Sequence, residues 1–389
     1  MIHNLRAEAR ITLHIFQFTP FPRPLATGNS SAQSTKSGEK TCRNEIRGIE
    51  CEYWNGHTLP KEKEVKELFD KLIEILKANH RTIVFTEGED ARILDAASKL
   101  LKGGFLGIIL VGPADGIKAA AEKGGYDITG ARIIDPATYK GMDEMVEKMV
   151  VLRKGKMTAD ECRASLAKSN YFGTMLVKMG EADCLLGGAT YSTADTVRPA
   201  LQLIKTKPGN TIVSSCFILT RGKDEEERIA MGDCAINIHP TEDNLVEIAQ
   251  ETAKCARAFG IDPKVAFLSF STKGSAKDDT VTLMQNAVAK TKEAMPDTPV
   301  DGEMQFDAAV SPEVGQRKFP GSPVAGYANT FIFPDVNAGN IGYKIAARLG
   351  GFNAYGPILL GLNAPINDLS RGCNAEEVYK MAIITAALI

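Results

Sequence analysis

TIVFTEGEDARILDAASKLLKGGFLGIILVG, residues 82–112, places the helical stretch DARILDAASKLL between two short β-branched runs, TIVFTE (82–87) and GIILVG (107–112). A strand, a helix and a second strand in so few residues is the pattern of an α/β chain whose parallel strands are buried on both faces. Outward from it the pattern repeats. ARIIDP (131–136), CLLGG (184–188), TIVSSCFI (211–218), VAFLSF (265–270), NTFIFPD (329–335) and PILLGL (357–362) are further apolar runs bounded by Gly, Pro or Asp. Helical segments such as TEDNLVEIAQETAKCARAF lie between most of them. Upstream, KEKEVKELFDKLIEILKANH (61–80) carries Val65, Leu68, Phe69, Leu72, Ile73 and Leu76 at the three-to-four spacing of an amphipathic helix, so order is expected to begin near Pro60.

Residues 1–59 differ from the rest. The stretch PFPRPLATGNSSAQSTKSGEK has no apolar period and reads as a disordered leader. The first 43 residues hold Arg6, Arg10, Arg23 and Arg43 but only Glu8 and Glu39 as acids, a bias that also suits an organelle transit peptide. At 389 residues the chain exceeds the size at which one core usually keeps growing, which predicts two domains. A formal net charge of -2 argues against a general nucleic-acid binder, so any anion recognition must be local. Eight cysteines without a CxxC pair fit reduced thiols in a cytoplasmic protein, and the histidines stand apart from them, so no metal site is expected. No apolar run is long enough to cross a membrane. Neither GxGxxG after an early strand nor GxxxxGK[ST] is present; the nearest glycine-rich turn is VGPADG (111–116). Dinucleotide and P-loop chemistry are therefore disfavoured.

In such sheets ligands collect at the C-terminal ends of the strands, which directs the search to polar loops. ATYSTADTVRPA (189–200) follows CLLGG, and Thr190, Ser192 and Thr193 would open a helix whose free N–H groups can hold an anion, with Arg198 further in. Simple N-capping by Ser192 or Thr193 fits as well. In STKGSAK (271–277), Lys273 and Ser275 suit a phosphate-rich ligand or a polar surface turn. The segment 318–344 brings Gly321, Ser322, Gly326, Gly339 and Gly342 around one strand, where backbone can approach a ligand closely, and Asn337 could cap the following helix. Finally, NDLSRG (367–372) follows PILLGL and precedes a helix beginning near Asn374. Ser370 as hydrogen-bond donor, Arg371 as guanidinium and Glu377 as carboxylate suit acyl or phosphoryl transfer. The alternative makes Glu376 and Glu377 first-turn acids favoured by the helix dipole, which leaves Ser370 and Arg371 unexplained. Cys373 reads as a small buried thiol, since no histidine lies near it in sequence.

From about residue 64 to its end the chain resembles the phosphate acetyltransferase (phosphotransacetylase) family. The resemblance rests on TEGEDARIL, LLGGATYSTADTVRPALQ, SFSTKGSAK, DGEMQFDAA, PGSPVAGYANTFIFPDVNAGNIGYKIAARLGG and AYGPILLGLNAPINDLSRGC, in that order. It implies two α/β domains with mostly parallel sheets and a cleft between them, the first made of residues 60–206 plus 358–389 and the second of 207–357. It also implies a homodimer, a functional link to acetate kinase, and reversible acetyl transfer between acetyl-CoA and phosphate, with coenzyme A as substrate and no tightly bound cofactor. Ser370 and Arg371 match the family's Ser-Arg pair, and Arg153 and Arg198 its phosphate-binding arginines. Ser192, Thr193, Lys273, Ser275, Ser322, Tyr327 and Asn337 complete the expected phosphate and coenzyme A contacts. Two positions depart from the family pattern: Glu377 stands where the family has its catalytic aspartate, and Tyr327 where it commonly has lysine. A phosphate butyryltransferase and a non-catalytic acyl-CoA-sensing module are the rival readings.

Overall fold

The computed structural model describes residues 66–223 and 225–388; the leader expected over residues 1–59 and the helical position Val65 lie outside them. In chain order the strands are β1 (Arg81–Phe85), β2 (Leu106–Val111), β3 (Arg132–Ile134), β4 (Cys184–Gly187), β5 (Ser214–Arg221) and β6 (Glu227–Gly232). They continue with β7 (Val265–Leu268), β8 (Val300–Met304), β9 (Thr330–Ile332), β10 (Asn353–Leu360) and β11 (Ile366–Asp368). Five of them form one sheet in the order β11-β4-β1-β2-β3, parallel throughout. The other six follow the order β10-β5-β6-β9-β7-β8, in which only the β10–β5 and β5–β6 pairs are antiparallel. The fold is mixed α/β with mostly parallel sheets. Among the described residues no helix is long and apolar enough to cross a membrane.

The stretch 82–112 folds as its pattern predicts. The helix Ala91–Gly103 starts at Asp90, whose carboxylate accepts from the backbone N–H of Arg92, and stops at Gly104, whose φ of 68° few other residues adopt cheaply. Its Ile93, Leu94, Ala97 and Leu100 are buried against Ile83 and Phe85 of β1 and Ile108 and Leu110 of β2. The same apolar cluster takes in Ile218 of β5, Ile358 of β10 and Ile383 and Ile384 of the C-terminal helix Ala375–Ala387. A second cluster joins Val84 and Ile109 to Val213, Leu359 and Leu362. Apolar packing therefore ties the two sheets together.

Three strands escape the apolar pattern because their residues are polar. β6 opens on Glu227 and Arg228, β8 is VDGEM with buried Asp301 and Glu303, and β11 is Ile-Asn-Asp. β11 changes the reading of NDLSRG: Asn367 and Asp368 are themselves strand, paired with Leu186 and Gly187 of β4, so the Ser370 loop follows β11 and not PILLGL. β10 begins at Asn353 and stays paired with β5 through Leu360, so it runs across the expected domain boundary at 357/358 and belongs to the second sheet.

Asn367 holds this return in place. Its Oδ1 accepts from the Leu359 backbone N–H at 2.8 Å, and its Nδ2 donates to Thr385 Oγ1 at 2.9 Å, so one amide joins β10, β11 and the C-terminal helix. Replacing Asn367 by Ala leaves a buried N–H without a partner, a cost of about 1–3 kcal/mol. The expected outcome is a clear fall in melting temperature, measured calorimetrically; an unchanged Tm would show that these bonds contribute nothing net.

Candidate active site

A cleft of about 760 Å³ opens where the C-terminal ends of β4 and β11 face the second sheet. Its volume lies within the range of about 300–1,000 Å³ common to small-molecule sites. One wall is made by Tyr191 to Ala194 after β4, Asp368 to Cys373 at and after β11, and Glu377 and Met381 of the C-terminal helix. The facing wall is built by Phe217 of β5, the helix Val336–Arg348 and residues 352–357. Ser192, Thr193, Ser370, Arg371 and Glu377 are thus brought together from three separate segments.

The loop Ser370 to Cys373 is a tight turn, with the Cys373 N–H donating to the Ser370 carbonyl at 2.9 Å and the Gly372 N–H to Ser370 Oγ at 3.3 Å. Arg371 is exposed, and among the described residues its guanidinium makes no ion pair. The same holds for Lys344 and Arg348, which line the opposite wall and which the sequence reading did not single out. Asn374 caps the C-terminal helix in a reciprocal box: its Oδ1 accepts from the Glu377 N–H at 2.9 Å, and Glu377 Oε2 accepts from the Asn374 N–H at 3.1 Å. One carboxylate oxygen of Glu377 serves the cap while the residue still lines the cleft. Cys373 is buried as expected, and burial pushes its thiol above the usual range.

Asp368 is a further cleft residue that sequence reasoning missed. It is only 1% exposed, accepts from Thr193 Oγ1 at 2.6 Å and Thr196 Oγ1 at 2.5 Å, and makes no ion pair among the described residues. Burial outweighs those two bonds and raises its pKa to about 6, with the charge of Glu87 adding to the rise. Glu87 is likewise pushed up by burial, although it accepts from the Thr190 N–H and from the hydroxyls of Thr190 and Thr86. The available signal was a polar pair, Asn-Asp, directly after an apolar segment.

Of the other expected contacts, only Ser192 and Thr193 line this cleft. Ser192 occupies the N-cap position of the helix Thr193–Pro199 but makes no cap bond; its hydroxyl donates to Asp195 Oδ2 at 2.7 Å. Arg198 is exposed on that helix, and its charge, with that of Arg153, counteracts the burial that raises the Tyr171 phenol. Arg153 also donates from Nε to Met157 Sδ at 3.3 Å. The STKGSAK loop is wound around the buried Glu303, which accepts from Ser271 Oγ, the Gly274 N–H and Gln285 Nε2. Ser275 Oγ takes the Thr272 N–H, so the groups expected to hold phosphate are largely spent within the protein. Lys273 lies over the Phe319 ring at 5.1 Å. Ser322 accepts from the N–H groups of Val324 and Ala325 and so fixes its own turn. Tyr327 is exposed, with Lys264 Nζ at 5.6 Å from its ring. Asn337 is not a cap: Asp335 accepts the Ala338 N–H at 2.9 Å and starts the helix, leaving Asn337 exposed in its first turn. Aspartate two residues earlier has the extended backbone that a cap needs, and Asn337 is already helical.

Residues 67–386 match the family model described as phosphate acetyl/butaryl transferase. The chain is 53% identical over 321 residues to a phosphate acetyltransferase of Bacillus subtilis, covering 82% of this chain and 98% of that protein. A phosphotransacetylase structure from Streptococcus pyogenes is 51% identical, superposes with a TM-score of 0.79, and is covered over 98% of its length by 83% of this chain. The EutD phosphotransacetylase structure from Staphylococcus aureus is 48% identical with a TM-score of 0.74, over 82% of this chain and 98% of that one. With its Ser-Arg loop and carboxylates gathered in one cleft, the chain belongs to the phosphate acetyl/butaryl transferase family.

Proposed function

We propose that this chain is a phosphate acetyltransferase that moves acetyl reversibly between coenzyme A and phosphate. The observation that carries the reading is the convergence of Ser370, Arg371 and Glu377 on one cleft with three cations, Arg371, Lys344 and Arg348, outside any ion pair among the described residues. Coenzyme A and acetyl phosphate are both rich in phosphate oxygens, which such cations complement. A thiol is largely protonated at neutral pH, so a base must take its proton as sulfur attacks the acetyl carbonyl. Glu377 is that base, using the oxygen left over from the helix cap. The new carbon–sulfur bond forms as the bond between the acyl carbon and the phosphate oxygen breaks, and the phosphate leaves with the electron pair. Ser370 donates to the developing oxyanion, and Arg371 neutralises the departing phosphate. Ser192 and Thr193 shape the same wall. Arg153 and Arg198, whose charges both act on Tyr171, take the more distant phosphates of coenzyme A.

The two sheets act as two domains, the second extending through β10 to Leu360, and the cleft lies between them. Exposed Ile341 and Ile345 on the helix that forms the far wall and Leu349 just past its end, each four residues from the last, supply a row against which a second copy packs as a homodimer. Sedimentation of Leu349→Glu as a monomer would support that row as the contact. The cytoplasm is the natural compartment for buried reduced thiols, and a kinase that consumes acetyl phosphate is the fitting neighbour in metabolism.

Arsenate-dependent breakdown of acetyl-CoA separates a catalyst from an acyl-CoA sensor: activity is expected, and its absence in folded protein would leave only binding. Glu377→Gln keeps the size of the side chain and should lower kcat about 10²- to 10⁴-fold, the range for losing a general base. Near-normal kcat in that variant would reassign Glu377 to helix capping alone. Asp368 gives a stability test. Its folded pKa lies above the value of about 3.9 in an unfolded chain, so its contribution is fully present below that value and lost as pH rises through about 6. Asp368→Asn cannot ionise, so its melting temperature should gain on the parent as pH increases from 4 to 7. A constant difference across that window would mean that Asp368 titrates normally.

A further inference from the structure

Arg92 sits in the first turn of the helix Ala91–Gly103, across the cleft loops from the groups just assigned. Its guanidinium has five N–H donors. Nε and one hydrogen of Nη2 go to the two carboxylate oxygens of Asp90, at 2.9 and 2.8 Å. Nη1 donates to the carbonyls of Arg371 and Cys373, at 2.9 and 3.2 Å, and lies 3.7 Å from Cys373 Sγ. The remaining Nη2 hydrogen goes to the Ala189 carbonyl at 2.8 Å. Every donor is therefore spent on protein, and none is left for a phosphate oxygen.

The two arginines of this corner divide the work. Arg371 presents a guanidinium without an ion pair, and Arg92 grips the backbone that carries it. The two carbonyls held by Nη1 lie on either side of Gly372, the residue whose missing side chain leaves the turn freest to change shape. The third carbonyl belongs to the loop after β4, so one planar fork ties both cleft loops to the start of the helix Ala91–Gly103. Asp90 fixes the fork in turn, because it also caps the helix.

We infer that Arg92 is the positioning residue of the Ser370–Arg371 loop, acting on the reaction through Arg371 and not through substrate; this rests on the catalytic reading of that loop. Lysine cannot replace it, having three donors at one point and no planar fork.

The test is a double-mutant cycle of Arg92→Lys and Arg371→Ala, with steady-state kinetics for coenzyme A and acetyl phosphate. Arg92→Lys alone should lower kcat about 10- to 100-fold, as a displaced catalytic group does, with both KM values within about threefold of the parent. In the Arg371→Ala background the same change should cost less than about threefold, because the group it positions is already gone. Asp90→Asn, which keeps the cap oxygen but loosens the fork, should repeat the pattern and serves if Arg92→Lys does not fold. Losses that multiply in the double variant, an unchanged kcat, or a rise in KM at constant kcat would each overturn the inference. Near-native kcat in Arg371→Ala is a different failure: it removes the catalytic role of the loop itself, and the inference falls with it.

Discussion

Burial of two adjacent polar residues on one short strand governs the arrangement. Asn367 and Asp368 are each 1% exposed, and a buried polar group must find partners or destabilise the fold. Asn367 finds them in β10 and the C-terminal helix; Asp368 finds them in Thr193 and Thr196 beyond β4. The alternating faces of a strand send the two side chains in opposite directions. One thus welds the second sheet and the last helix to the first, and the other draws the loop after β4 towards the loop that carries Ser370. The cleft follows from satisfying these two groups.

Hydrogen-bond satisfaction also sorts the polar side chains into those available for chemistry and those that are not. Arg92, Glu87, Glu303, Ser271 and Ser322 have their capacity directed at backbone or neighbouring side chains. Arg371, Lys344 and Arg348 do not. Every residue of the first group looks as reactive in sequence as those of the second. Only the hydrogen-bond partners separate a guanidinium that holds a loop from one that is free for ligand, and they also explain why STKGSAK, rich in donors, is a self-satisfied turn here.

The α/β class was legible because buried parallel strands are apolar on both faces and stand out between helices, as at 82–87 and 107–112. The same rule hid β6, β8 and β11, whose acidic and amide residues are buried by pairing with polar partners instead of by apolar packing. Ser370, Arg371 and Glu377 were legible as candidates because the helix dipole accounts for first-turn acids but not for a hydroxyl and a guanidinium directly before the helix. Asp368 and Arg92 were not, because their importance lies in contacts across 97 to 281 residues of chain, and spacing carries no trace of those. Asn337 misled for the opposite reason. Asparagine is a good cap by type, but the cap is set by backbone conformation, and Asp335 already supplies it.

Glu377 shows how the catalytic role proposed for it and a structural role can share one residue. A helix start in a cleft leaves N–H groups that need acceptors, and the Asn374 box meets that need with one carboxylate oxygen. The bond holds the carboxylate against the end of the helix and limits its swing, which offsets the extra reach of glutamate where the family pattern has aspartate. The longer side chain can bend back to the cap and still leave an oxygen on the cleft side; aspartate, one methylene shorter, would have to choose a different geometry. The substitution is therefore one the local fold can absorb, because the cap, and not side-chain length alone, decides where the carboxylate stands.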